Sequence, residues 1–160
     1  MFERDTSSPE DRIRRLGLTL PPPWKDDVTR VRALESRGYV FMSGHGPLGP
    51  DSVPLVTGKL GRELTVEQGY EAAKLTAYTM LGTLKGSVGS LNRVARVVKV
   101  LGFVNCAPGF NTPSLVINGF SDVIVDVFGP IGRHTRSAIG VAELYADIPV
   151  EIEAIFELVS

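Results

Sequence analysis

The 160-residue chain, 43% hydrophobic and 22% charged, has the length and composition of one globular domain. Its 17 basic and 18 acidic residues leave a net charge of −1, which argues against a surface built to hold a nucleic-acid backbone. No uninterrupted apolar run approaches the roughly 18 residues that cross a bilayer. The charged start, Met1–Arg15, lacks a secretory pattern, and the lone Cys106 excludes an internal disulfide, so a cytoplasmic domain without membrane contact is expected.

Ser8 reads as a helix N-cap with Pro9 at the first helical position, predicting a short helix over Pro9–Leu16 that stops at Gly17. Pro21–Pro23 follows as a stiff extended spacer, so residues 1–27 read as an arm packed on a domain over 28–160. Strands are predicted at Arg30–Leu34 and Tyr39–Ser43, then a proline-broken loop to Gly61. Thr65 and Gln68 form a capping box, and Tyr70, Ala73, Ala77, Met80, Leu81, Leu84 and Val88 recur at helical spacing up to Gly89. Val94–Val104 reads as a strand. A second long helix starts at Thr112, buries Val116, Ile117, Phe120, Val123, Ile124 and Val127, and ends at Gly129. Two closing strands, Arg136–Leu144 and Val150–Leu158, complete the order β-β-α-β-α-β-β. The expected class is α+β, with both helices on one face of a mixed sheet.

The closing strands are the most informative. Val150, Ile152, Ala154 and Phe156 share the helix-facing side, which sends Glu151, Glu153 and Glu157 to the other. If Tyr145–Pro149 closes an antiparallel hairpin, Arg136 lies opposite Glu157 and Ala142 opposite Glu151, on the face away from the helices. On that reading Ala138, Gly140 and Ala142 clear space for another copy of the chain. Arg136 and Glu151 are then about 20 Å apart, at roughly 3.3 Å per residue, and can meet only across a subunit interface. A shielded guanidinium suits a small carboxylate-bearing ligand, and a nearby carboxylate such as Glu151 could deprotonate water. An intersubunit salt bridge explains the same residues.

Other motifs carry less. Gly44–Gly49 matches G-x-G-x-x-G, but Pro47, Pro50 and Pro54 block the helix that dinucleotide binding requires. His45 and His134 lack metal-ligand spacing, so no metal is expected. Ser43-Gly44-His45 lacks the nucleophile elbow, with Phe41 at the first glycine position. Cys106 reads as a small buried hydrophobe.

The chain resembles the Rid (YjgF) family of reactive-intermediate deaminases over about Val28–Glu157. The resemblance rests on Ser43-Gly44, Thr57-Gly58-Lys59-Leu60-Gly61, Val104-Asn105, Val116-Ile117-Asn118-Gly119, Arg136-Ser137-Ala138 and Val150–Ile155. The longer N-terminal arm is similar to that of a branch carrying an endoribonuclease label. The resemblance implies a chorismate-mutase-like fold, a homotrimer with clefts between subunits, and hydrolysis of 2-imino and 2-enamino acids without a cofactor. It implies that Arg136 holds the substrate carboxylate, that Glu151 positions water, and that Ser43, Gly44, Asn118 and Ala138 line the cleft. Three residues depart from the family pattern beside that cleft: Arg30 stands where tyrosine is common, Ala138 where many members have cysteine, and His45 where glutamine is common. All three are candidate substrate-binding residues. RNA cleavage and ligand binding without turnover are the competing functions; net charge −1 and the lack of a basic, aromatic-interleaved stripe weigh against RNA.

Overall fold

The computed structural model describes residues 7–159; the first six residues of the predicted arm lie outside the described residues. Five strands form one mixed sheet: β1 (Ala33–Ser36), β2 (Tyr39–His45), β3 (Val94–Asn105), β4 (Thr135–Val141) and β5 (Val150–Leu158), in the spatial order β1-β2-β5-β3-β4. Two helices, α2 (Val66–Val88) and α3 (Pro113–Phe128), cover one face, and a short α1 (Pro9–Arg15) packs at the end of α3. This is the α+β, chorismate-mutase-like arrangement expected from the sequence.

Local chemistry sets the helices. Thr65 and Gln68 exchange the two hydrogen bonds of a capping box at the start of α2. The apolar stripe of α3 buries Val116, Ile117, Phe120, Val123, Ile124 and Val127 against the sheet. Taken with its 3-10 extension, Pro113–Gly132 is 20 residues at a mean hydropathy of 1.4, long and apolar enough to cross a bilayer by composition. More than half of it is buried as the core helix of the domain. At Gly119 the two long helices touch backbone to backbone: a Cβ there would overlap the carbonyl of Tyr70.

The arm is stitched to α2. Pro21 and Pro23 lie where a Cβ on Gly82 or Gly86 would stand, so the proline segment runs along a groove made by two glycines one turn apart. Trp24 N–H then donates to Thr83 Oγ1 at 3.2 Å, and the indole stacks on His45 with ring centroids 4.6 Å apart.

The closing strands are not a hairpin. β3 lies between them, pairing parallel with β4 and antiparallel with β5. Two physical causes explain this. The α3 crossover returns β4 parallel to β3 on its outer edge. Polar groups then hold the β4–β5 connection across the end of β3: Asn105 N–H donates to the Pro149 carbonyl at 2.8 Å, and Asn105 Nδ2 to Asp147 Oδ1 at 3.0 Å. Buried Lys59 donates to Asn105 Oδ1 at 2.7 Å and to the Ala142 carbonyl.

The consequence is a change of face. Arg136 pairs with Val100, Ala138 with Gly102 and Gly140 with Val104, all on the helix side of the sheet. The expected placement of Arg136 beside the glutamates is therefore corrected. Of the small residues on that side, Gly102 makes room for α3, since a Cβ on it would stand 2.7 Å from Ile117, and Gly140 faces Cys106. Glu151, Glu153 and Glu157 do face away from the helices, as their alternation with buried Val150, Ile152, Ala154 and Phe156 requires.

Candidate functional site

The predicted site residues fall into two groups on opposite faces of the sheet. The first surrounds Arg136 on β4. Its Nη2 donates to Ser114 Oγ at 2.8 Å, the Ser114 carbonyl at 3.2 Å and Asn118 Oδ1 at 3.0 Å; its Nη1 donates to Ser121 Oγ at 2.9 Å. Every partner is neutral. Among the described residues no carboxylate forms an ion pair with Arg136, although the charge of Asp122 bears on it. Burial lowers the pKa of the guanidinium from its usual value, and Asp122 opposes the shift. Its Nε–H and one Nη1–H have no acceptor among the described residues, so two charge-assisted donors, on separate sides of the guanidinium, remain for an anion. Ala138, two residues along the same strand face, is partly buried against the core.

Sequence reasoning passes over Ser114, Ser121 and His134. A signal was present: Ser114, Asn118 and Ser121 are spaced by four and three residues, a polar stripe on one side of α3.

The second group lies on the face away from the helices. Ser43 and Gly44 occupy an irregularity in the β2–β5 register between Met42 and His45. Ser43 donates its hydroxyl to the Val31 carbonyl at 2.7 Å. Gly44 lies under the Glu151 carboxylate, which occupies the place a Cβ would take. Burial and then the neighbouring Glu153 charge raise the pKa of Glu151, while Arg30 works against them. Arg30 itself bonds Asp27, with Nη2 2.9 Å from its carboxylate, and is largely exposed. It contributes a field at Glu151 more than an open anion anchor.

His45 belongs to neither group. It is fully buried on the helix side, Nδ1 2.7 Å from the Ser43 carbonyl, with Trp24 closing over the ring. Burial pushes its pKa down to about 4, so it is neutral near pH 7. The expectation that His45 binds substrate is corrected, because the arm occupies the space a ligand would need.

The two groups do not meet within one chain. Arg136 is level with Val100 on β3, whereas Glu151 is level with Phe103 and points to the other side. Described cavities lie elsewhere, including a 530 Å³ groove between α1 and the end of α3. The sheet face bearing Glu151 is apolar as well as acidic. Leu34, Phe41 and Ile139 are exposed on it, with Leu101, Phe103 and Ile155 between them. A 170 Å³ hollow on this face is lined by Phe41, Lys99, Leu101, Glu153 and Ile155, among others.

Fold and site together define an α+β domain of the chorismate-mutase-like class with an uncompensated arginine at its sheet edge. The chain belongs to the YjgF family: the model "YjgF/chorismate mutase-like, putative endoribonuclease" matches residues 38–146. It is 40% identical over 147 residues to Protein TCP17 of Trypanosoma cruzi, covering 91% of each chain. Among solved structures it is similar to Atu1372 of Agrobacterium tumefaciens, a protein of unknown function, at 38% identity and a TM-score of 0.83. That match covers 94% of this chain and 91% of the other. A putative endoribonuclease of Shewanella oneidensis MR-1 matches at 25% identity and a TM-score of 0.88, covering 95% and 100% of the two chains.

Proposed function

We propose that this protein is a hydrolytic deaminase that converts 2-imino and 2-enamino acids to 2-keto acids and ammonia in clefts between the subunits of a homotrimer. The observation that carries this reading is Arg136, a half-buried guanidinium held only by neutral groups, with its Nε–H and one Nη1–H left over. The resemblance to the Rid deaminases supports it. Arg136 takes the substrate carboxylate through its free Nε–H and its charge, with Asn118 and Ala138 beside it. Glu151, supplied by a neighbouring subunit over Ser43 and Gly44, accepts a proton from water as its oxygen bonds to the imine carbon. Glu151 returns that proton to nitrogen, giving the carbinolamine. Glu151 then passes the hydroxyl proton to nitrogen as the C–N bond breaks, the C=O forms and ammonia leaves. The balance is imine plus water to ketone plus ammonia. Because the imine is already electrophilic, positioning and proton transfer suffice.

The direct test generates imines in place, with an amino-acid oxidase or a dehydratase, and measures keto-acid release. Acceleration by the protein supports the reading, and an unchanged rate refutes it. The family's endoribonuclease description supports a second reading, RNA cleavage. Steep weakening of RNA binding with salt would favour it.

The pH profile offers a second check. Glu151 must be ionised to accept a proton, so activity falls as pH drops through its raised pKa, above where an ordinary carboxylate titrates. Glu153→Gln removes a like charge and should move this acid limb to lower pH. Arg30→Ala removes the opposing cation and should move it higher. Limbs that stay fixed in both variants would separate Glu151 from the reaction.

The trimer has its own prediction. Phe41, Leu101 and Ile155 make the Glu151-bearing face a poor one to leave in water. Phe41→Glu should yield folded, inactive monomers by sedimentation, against trimers for the unaltered protein. A stable monomer of the unaltered protein at micromolar concentration would remove the intersubunit site.

A further inference from the structure

Arg136 is held by four acceptors from three side chains and a carbonyl, and one of these is unlike the rest. Ser114 and Asn118 end their chains of contacts at the guanidinium. Ser121 continues: its Oγ lies 3.0 Å from His134 Nε2, and His134 Nδ1 lies 2.6 Å from the Gly132 carbonyl. These contacts fix the direction of every proton. A carbonyl oxygen only accepts, so Nδ1 carries the imidazole proton. Nε2 of the neutral ring is then an acceptor, and Ser121 O–H must donate to it. That leaves the Ser121 lone pairs turned toward Arg136 Nη1, which donates to them at 2.9 Å. A serine without this histidine could rotate its hydroxyl proton toward the guanidinium and lose the bond. Burial, and then the Arg136 charge, lower the pKa of His134, which keeps the ring neutral and the direction of the chain intact near pH 7. The elements are rigid: Ser121 is mid-helix on α3, Arg136 is on β4, and His134 is tied to the turn that joins them.

We propose that Ser121 and His134 are positioning residues for Arg136, forming a one-directional hydrogen-bond chain from the Gly132 carbonyl that aims the free Nε–H of the guanidinium at a substrate carboxylate. The inference rests on the deaminase reading for its substrate, and on geometry alone for the orientation of Arg136. Neither residue touches the substrate. Their loss should therefore weaken carboxylate capture more than it slows the chemical step.

The experiment measures binding of 2-oxobutanoate by calorimetry, imine turnover, and the NMR order of the Arg136 Nε–H group, all on the full chain with folding checked by thermal melts. Ser121→Ala and His134→Phe should each weaken binding about 10-fold, the scale of one hydrogen bond to a charged group. KM should rise with kcat retained, and Arg136 Nε–H should become more mobile. Ser121→Thr restores a hydroxyl, and His134→Gln offers an amide oxygen to accept it; both should recover most of the binding. The double variant Ser121→Ala, His134→Phe should be no worse than either single change, because both break one chain. Wild-type affinity and unaltered Arg136 order in the single variants would overturn the proposal. If the unaltered protein neither binds 2-oxobutanoate nor turns over imines, the deaminase reading falls instead. The order of Arg136 in the variants still decides whether the chain of bonds positions it.

Discussion

Glu151→Gln should slow imine hydrolysis on the order of 100-fold or more, with the trimer and carboxylate binding preserved. The amide fills the same space over Gly44 but cannot take the proton of the attacking water. Arg136→Ala should act differently, removing both the charge and the forked donors, so that binding and turnover fail together. Arg136→Lys keeps a charge without the fork and should recover only part of the activity. Ser114, Asn118 and Ser121 are arranged around a planar group with nitrogens on two arms, and a single ammonium can satisfy only some of them. Steady-state kinetics and calorimetric binding of a keto acid separate the two roles. A Glu151→Gln protein with full activity would remove the base from the mechanism.

Gly119→Ala should be the most damaging single methyl group in the fold. The added Cβ would overlap the Tyr70 carbonyl, a backbone atom within the second turn of α2 that cannot swing aside. α2 and α3 would have to part, opening the packing of Val116, Ile117 and Phe120 on the sheet. Overpacking of this kind costs about 2–3 kcal/mol. For a chain of this size that lowers the melting temperature by roughly 5–10 °C. Gly89→Ala is the contrast: its φ of 80° strains any larger residue, but nothing lies within 4 Å. Scanning calorimetry of the two variants should rank Gly119→Ala well below Gly89→Ala. Equal stabilities would mean that the helix contact is looser than the backbone approach indicates.

The helices and the order of elements were legible because their signals are local. The Thr65–Gln68 capping box, the apolar stripe of α3 and the alternation along β5 each state their outcome within a few residues. The pairing of β4 was not legible, because it is decided by distant groups. A short connection after Leu144 reads as a hairpin until Lys59 and Asn105 are seen holding it across the end of β3. Reversing that one pairing moved Arg136 to the helix face and changed the meaning of Ala138, which packs against the core, and of Gly140, which faces Cys106. The separation of Arg136 from Glu151 within one chain survives, for a different reason: the sheet stands between them. His45 misled for a related cause. Its place beside Ser43-Gly44 suggests a cleft residue, but the register irregularity turns it inward, where Trp24 from the arm covers it. The polar stripe of Ser114, Asn118 and Ser121 is legible from spacing alone, beside the stronger apolar stripe of α3.

The most direct test of the intersubunit site is complementation. Arg136→Ala and Glu151→Gln proteins, each inactive, are unfolded together, refolded, and separated by differential tags so that only mixed trimers are assayed. In a cyclic trimer one cleft of every mixed assembly pairs an intact Arg136 with an intact Glu151 from its neighbour. Mixed trimers should therefore regain about a third of the unaltered activity, while each protein refolded alone stays inactive. Verified mixed trimers without activity would contradict the shared site and return Arg136 or Glu151 to a structural role.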